Sequence, residues 1–209
     1  MTLKADPEIK PALLERILDY LLDKPLSALT FRDLATSLHV STFTLVYHFG
    51  TRADLVREII GAIASRQRGF ETAFDTGELT IDSYLRGLRA TFDLTLLPRN
   101  RALQRLEFEA QMLEALETSN GVTRLAHEDL QDRGELALVA LGVSKADAAI
   151  ESRLLVDTFY GIQVGLVVND DADRARTAFD RTLQDHRDRI ERLASSRAQR
   201  SHQPSTRVP

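Results

Sequence analysis

Apolar residues recur at intervals of three and four along almost the whole chain, and this spacing is the strongest constraint on its fold. Leu14, Ile17, Leu18 and Leu21 form one such stripe, and Pro25 is suited to end the helix that carries it. No segment shows the strict alternation of apolar and polar residues that is typical of a half-buried strand. The periodicity therefore predicts an all-α protein.

Hydroxyl residues that can cap helices divide the N-terminal part into short segments. Thr30 with Asp33, and Thr51 with Asp54, have the spacing of a capping box, and Ser41 can cap a helix between them. These signals predict short helices over 31–38 and 42–48, a tight turn at 39–41 and a longer helix over 52–74. Such short helices need tertiary packing to be stable.

The helices of the C-terminal part are predicted to be longer. Ser144 has capping spacing to Asp147, and Gly142 is a plausible helix end before it. The predicted helices span 80–97, 99–118, 121–141, 145–168 and 171–196. We expect a small domain over 1–65, a larger domain over 66–196 and a disordered tail over 197–209, which lacks apolar periodicity.

Composition excludes several classes of protein. The chain has 209 residues, no cysteine and a formal net charge of −4, so neither disulfides nor thiolate metal sites are possible. We find no signal peptide, no membrane span, no phosphate loop and no pairing of catalytic groups, and we predict a cytoplasmic non-enzyme without metal or cofactor. Bulk charge does not favour nucleic acid, so DNA binding has to be argued from local geometry.

Two short helices joined by a tight turn, with an earlier helix in support, predict a helix-turn-helix. Leu45 and Phe49 are expected to face the core. The other side of the second helix then carries hydroxyls and aromatic rings, which indicate a contact surface: Thr42, Phe43, Thr44, Tyr47 and His48.

This segment, LTFRDLATSLHVSTFTLVYHFGTRADLV, resembles the DNA-binding segment of the tetracycline-repressor (TetR) family of bacterial transcriptional regulators. The resemblance covers about residues 11–65 and lies in Leu29-Thr30, Arg32, Leu34-Ala35, Val40-Ser41, Thr44-Leu45, His48-Phe49 and Arg52-x-x-Leu55. The chain departs from the family pattern at three positions. His39 replaces the usual turn glycine, Phe43 replaces a small residue, and Val46 replaces a tyrosine.

The resemblance implies a protein that binds double-stranded DNA, and the chemistry of its side chains suggests their roles. We expect phosphate contacts from hydroxyls, a ring N–H and two guanidinium groups: Thr30, Thr44, Tyr47, His48, Arg32 and Arg52. Thr42 and Phe43 are expected at the bases, where Phe43 suits the methyl group of thymine. Two alternatives stay open: Phe43 as a lid over the small core, and His48 as a structural histidine.

The family's C-terminal part dimerises and binds a small-molecule effector. The expected dimer surface is a stripe on the helix over 145–168 that contains Leu154, Thr158, Gly161, Gly165 and Val168, although these glycines would also suit packing within one chain. Candidate effector contacts are bulky or polar residues of the larger domain, which are more often core: Phe92, Phe108, Met112, His127, Phe159 and Gln163.

The resemblance implies a homodimeric, ligand-released repressor that binds a palindromic operator. One alternative is an all-α sensor or interaction protein whose helix-turn-helix no longer binds DNA. An all-α enzyme is a further alternative, for which the sequence offers no paired catalytic groups.

Overall fold

The computed structural model describes residues 9–71, 79–116 and 121–201, and side chains except those of 64–71, 122 and 197–201. These residues form nine α-helices and one short 3₁₀ helix without any strand, which confirms the all-α prediction. The helices are α1 (Ile9–Leu21), α2 (Phe31–Leu38), α3 (Thr42–Phe49), α4 (Arg52–Glu71), α5 (Ile81–Thr95), α6 (Pro98–Leu116), α7 (Val122–Ala140), α8 (Lys145–Asn169) and α9 (Ala172–Ser201).

The helix ends lie close to the predicted ones, with two differences. A 3₁₀ helix over Leu26–Ala28 precedes α2 and is not signalled by the periodicity. Helix α9 continues to Ser201, into the segment predicted to be disordered. Residues 72–74, 117–118 and 202–209, for which we also make predictions, lie outside the described residues.

The predicted caps account for where the helices begin. The hydroxyls of Thr30, Ser41 and Ser144 each accept a hydrogen bond from the backbone N–H three residues later, at 3.1, 3.0 and 3.3 Å. Thr51 and Asp54 bond each other reciprocally, at 2.8 Å from the Thr51 N–H and 3.2 Å from the Asp54 N–H. These bonds satisfy amide groups that a helix start leaves free, and they confirm the capping predictions.

The chain divides into two compact units. The first unit contains residues 9–69, 97–116 and 121–124, and the second contains residues 70–71, 79–96 and 125–201. Helix α6 joins the first unit through polar contacts with the end of α1 and the 3₁₀ helix. Arg105 donates to the carbonyl of Leu21 at 2.7 Å, and Glu109 accepts from the N–H of Leu26 at 2.6 Å.

Each unit has its own apolar core. The first core is mainly aliphatic and combines the inner faces of α1 to α4 with Leu106 and Ala110 of α6. The second core contains an aromatic group in which the rings of Phe92 and Phe179 stack at 4.1 Å and Phe159 packs edge-on against both. Burial of these faces is the main stabilising contribution to helices that are marginal alone.

Candidate nucleic-acid interface

The position of helix α3 is fixed by the burial of its inner face and by the turn before it. Leu45 and Phe49 are buried in the first core, as predicted. In the turn, His39 adopts a left-handed conformation with φ 52° and ψ 44°, and the next amide bonds back to the carbonyl of Ala35 at 3.1 Å. His39 therefore takes the backbone conformation that glycine normally supplies after a helix, at a cost in strain.

The opposite side of α3 is exposed and largely aromatic. Phe43 is 76% exposed, Tyr47 59% and Val46 48%, and Thr42 is also exposed. The rings of Phe43 and Tyr47 lie 6.4 Å apart and nearly parallel, because the two residues are one helical turn apart. We call these four side chains the α3 face. Phe43 does not cover the core, which contradicts the alternative of a lid.

Val46 was not among the predicted contact residues, and the structure places it on the α3 face beside Tyr47. The signal for it was present in the sequence, since Val46 lies three and four residues after Phe43 and Thr42 on the same side of a helix.

Thr44 and His48 are half-buried at the edges of the α3 face. The hydroxyl of Thr44 lies 2.8 Å from that of Ser41, so the two share one hydrogen bond. The His48 ring packs edge-on against Tyr47 with centroids 5.1 Å apart. Thr30 lies at the start of α2, where its hydroxyl is exposed and donates to Asp33 at 2.6 Å. The hydroxyls of Thr30 and Thr44 and the ring of His48 therefore all contact neighbouring side chains.

The cations near α3 are mostly engaged within the chain. Lys10 pairs with Glu58 at 2.7 Å, and Arg57 pairs with Asp54. Hydrogen bonds from Thr51, together with the charge of Arg57, hold the pKa of the Asp54 carboxyl below its usual range. In the part of the chain that the structure describes, such exposed pairs leave little net positive charge next to the α3 face.

The two predicted phosphate-binding arginines differ in their surroundings. Arg32 is exposed on α2, and its guanidinium has no partner among the described residues. Arg52 donates to three backbone carbonyls, at 2.8 Å to Leu29, 3.0 Å to Ser27 and 3.2 Å to Leu26. Arg52 therefore ties the start of α4 to the segment before α2, a structural role that sequence reasoning missed.

Arg16 was also missed. It donates from α1 to the carbonyl of Leu38 at the end of α2. The last carbonyls of a helix lack partners within that helix, so a guanidinium there both satisfies one and complements the helix dipole. Arg16 thereby fixes the end of α2, directly before the turn that orients α3.

The six predicted effector residues are divided between the two units. Phe108 and Met112 belong to the first unit, whereas Phe92, His127, Phe159 and Gln163 belong to the second. Phe92 and Phe159 are members of the aromatic core. His127 lies 3.4 Å from Asp157 through its Nε2 atom, and Gln163 is buried with its Oε1 atom lacking a hydrogen-bond partner among the described residues.

Two further features bear on the class of protein. Within residues 9–71, 79–116 and 121–201, no group of three or more His, Cys, Asp or Glu residues is arranged to hold a metal ion. No helix in the same ranges is long and apolar enough to cross a membrane.

Comparison with solved structures identifies the fold. A TetR transcriptional regulator from Legionella pneumophila superposes with a TM-score of 0.62 over 92% of this chain and 98% of that one, at 16% sequence identity. The TetR family repressor AlkX from Dietzia sp., implicated in biodegradation of n-alkanes, matches with a TM-score of 0.46 over 91% and 98% of the two chains, at 15% identity. No protein-family model and no curated protein sequence matches the chain.

The chain therefore has the fold of the TetR transcriptional regulators, with an N-terminal helix-turn-helix and further helices after it. The resemblance noted in the sequence is confirmed at the level of the fold.

Proposed function

We propose that this chain is a cytoplasmic, TetR-like transcriptional regulator that binds a palindromic operator as a homodimer and is released by a small-molecule effector. Residues 1–65 would bind DNA and residues 66–196 would dimerise and bind the effector. The observation that carries the proposal is the α3 face. A monomeric soluble domain seldom leaves two large aromatic rings exposed side by side, and a major groove can accept a helix that does so.

Binding by the α3 face would depend on shape and neutral hydrogen bonds more than on charge. Phe43 would contact thymine methyl groups, and Thr42 would reach base edges beside it. The Tyr47 phenol and the Arg32 guanidinium would contact phosphates at the rim, together with Thr30, Thr44 and His48 after local exchange of hydrogen bonds. Arg52 would contribute mainly by positioning α4.

Dimerisation is supported by a stripe of apolar residues on α8, which we call the α8 stripe. Ile150, Leu154, Gly161, Val164 and Val168 are exposed members of it, and Gly165 is a half-buried one. A Cβ atom built on Gly161 or Gly165 would meet no atom within 4 Å, which argues against the alternative that they serve packing within this chain. Thr158 turns its hydroxyl back to the carbonyl of Leu154 at 2.7 Å. Asp157 is the exposed charge on this side of α8, and its carboxylate lies 3.4 Å from His127 and 3.7 Å from Arg153. A second copy would bury this surface symmetrically.

The first experiment is selection of bound sequences from a randomised DNA library at one fixed, moderate salt concentration. A two-fold symmetric motif is expected, and its half-site spacing would give the separation of the two α3 helices. Tyr47→Ala should weaken binding to that motif while leaving the melting temperature nearly unchanged, and Ser37→Ala on α2 is a matched exposed control. Recovery of no motif by a folded dimer would refute the DNA-binding proposal.

The role of Phe43 can be tested on the DNA as well as on the protein. Replacing the contacted thymine by uracil removes one methyl group and should weaken wild-type binding by about 0.8 kcal/mol, or about fourfold. Phe43→Ala should bind both duplexes with similar affinity. An equal thymine preference in wild type and Phe43→Ala would show that another residue reads the methyl group.

The dimer can be tested by Leu154→Arg on the α8 stripe, with Leu136→Arg on α7 as a control that places the same charge at another exposed leucine. Sedimentation should show a monomer only for Leu154→Arg, because an unpaired charge would be buried at the interface. A dimer that persists in Leu154→Arg would mean that the interface lies elsewhere.

The pairing of Lys10 and Arg57 with acids favours one competing function, a sensor of the same fold that does not bind DNA. In that case no duplex would be bound at any salt concentration, although the protein would dimerise and bind its ligand.

A further inference from the structure

The second unit contains a cavity of about 130 Å³ among α5, α7 and α8. None of the six residues predicted to contact an effector lines it. Most of its wall is made of carbon atoms from apolar side chains, and the cavity is partly open to solvent. The apolar residues in the wall are Leu88, Leu130, Ala137, Leu155 and Val156, and the Tyr84 ring completes it.

The polar groups that border the cavity are engaged elsewhere. Ser152 donates its hydroxyl hydrogen to the carbonyl of Gln131 at 2.7 Å, and the Tyr84 hydroxyl lies 3.3 Å from His186 Nε2. The Arg133 guanidinium pairs with Asp129 at 3.1 Å. A ligand in this cavity would therefore find neither a free buried charge nor an unpaired buried hydrogen-bonding group to bind. An ionised ligand would lose its hydration without compensation.

The cavity is maintained by close contact of two helices at one of its ends. A Cβ atom on Gly134 would fall 2.2 Å from the Ser152 hydroxyl, so α7 and α8 approach each other closely at a position where only glycine fits. This contact closes one end of the cavity. Since an empty apolar cavity lowers stability in proportion to its volume, a molecule that fills it should be bound favourably.

We propose that this cavity binds a small, neutral, apolar molecule of about the size of a benzene ring. The volume sets the size of the ligand that the cavity can enclose, since a cavity of about 150 Å³ lined by similar residues accommodates benzene. Effectors that need a pocket of about 300 Å³ or more would not be enclosed by it. The proposal rests on the proposed function for the consequence of binding, but not for binding itself.

The position of the cavity indicates how occupancy would reach the dimer surface. Leu155 and Val156 line the cavity from α8, the helix whose other side carries the α8 stripe. The Tyr84 ring connects the cavity to α9 through His186. A ligand would shift the DNA-binding equilibrium only through a difference in affinity between the two states of these helices.

The test uses the full chain and benzene as the probe, with binding followed by methyl-group NMR and by the melting temperature. Benzene should perturb the methyl signals of Leu155 and Val156 and raise the melting temperature. Ala137→Leu fills the cavity and should weaken benzene binding by about tenfold or more, whereas Ala140→Leu, at an exposed site on the same helix, should bind as wild type does.

Two further variants and a charged analogue of benzene complete the test. If Ala137→Leu does not fold, Leu130→Phe fills the same space from another position, and Val156→Ala should shift preference towards larger rings. Benzoate tests the predicted neutrality and should bind at least about tenfold more weakly than benzene. Absence of benzene binding to the wild-type protein, or tighter binding of benzoate, would overturn the proposal.

DNA binding, measured on the same samples with and without benzene, separates this proposal from the proposed function. Benzene binding without any DNA binding would refute the regulator and support the cavity site. DNA binding without benzene binding would refute the cavity site and support the regulator. A lower operator affinity in the presence of benzene, lost in Ala137→Leu, would support both.

Discussion

Stability should fall steeply as the pH is lowered from 7 to 5, because of one buried histidine. His186 of α9 is completely buried, with its Nε2 atom 3.3 Å from the Tyr84 hydroxyl of α5. Its Nδ1 atom lies 3.5 Å from Glu151 of α8, which accepts a hydrogen bond from Arg189 at 2.7 Å. The pKa of His186 is lowered from 6.5 to about 4, mainly by burial; Glu151 opposes the change and the charge of Arg189 adds to it.

The sign of the effect follows from the number of protons that each state binds. Below pH 6.5 the histidine of the unfolded chain becomes protonated, while the folded protein keeps His186 neutral until the pH approaches 4. The contribution to stability is therefore fully present above pH 6.5 and is lost as the pH falls towards 4. Since one pKa unit corresponds to about 1.4 kcal/mol, the loss between pH 7 and pH 5 is about 2 kcal/mol.

Urea unfolding at pH 7, 6 and 5 measures this loss in the wild type and in His186→Gln, which cannot titrate. The wild type should lose about 2 kcal/mol more than the variant over this range. Ser37→Ala, which removes no titratable group, should keep the wild-type pH dependence. If wild type and His186→Gln lose stability in parallel, then the Glu151 carboxylate compensates for burial, and His186 protonates within the folded protein without cost.

Three further predictions concern the helix-turn-helix. Arg52→Ala should lower the free energy of unfolding by about 1–2 kcal/mol, because three carbonyls each lose one donor. Arg57→Ala should lower it by less than about 0.5 kcal/mol, and equal values from urea melts would contradict this. His39→Gly should raise it by about 0.5–1 kcal/mol by relieving the left-handed backbone, and Ser37→Gly within α2 should lower it. The logarithmic slope of operator affinity against salt should be about −4 to −7, and a slope of −10 or steeper would mean that most phosphate contacts are still unidentified.

Local signals in the sequence were sufficient to predict much of the helix-turn-helix. The caps at Thr30, Ser41 and Thr51 involve partners three residues away, and the inner positions Leu45 and Phe49 follow from helical spacing alone. Such features depend on short-range geometry, which a sequence displays directly.

Contacts between segments distant in sequence were not predictable in this way. Arg52 donates to carbonyls more than twenty residues earlier, and Arg105 of α6 to one more than eighty residues earlier. Neither the 3₁₀ helix nor the place of α6 in the first unit has a local signal. Arginine side chains are long and can meet many acceptors, so only the tertiary fold decides which carbonyls they reach.

The candidate effector site illustrates a different limit. Sequence reasoning looked for bulky aromatic residues, and Phe92 and Phe159 proved to fill the core instead. The cavity lies where side chains are small, beside Gly134 and Ala137. Free space in a core is a property of several helices together, and small residues in one helix do not reveal whether a neighbouring helix fills it.

Few cations near the α3 face lack an acidic partner among the described residues, and this bears on how such a regulator would work. On the proposed function, few phosphate contacts in each half would make the nonspecific affinity for DNA low, and one protomer alone would hold a half-site weakly. In a dimer, binding of one half-site holds the second protomer close to the other half-site. The effective concentration of the second protomer is then high, which multiplies the affinity of the dimer for the operator without new contacts. A ligand that alters the spacing of the two α3 helices would remove this gain in operator affinity entirely. On the proposed function, a neutral recognition helix therefore makes the dimer geometry, rather than the charge of the protein, the quantity that controls occupancy of the operator.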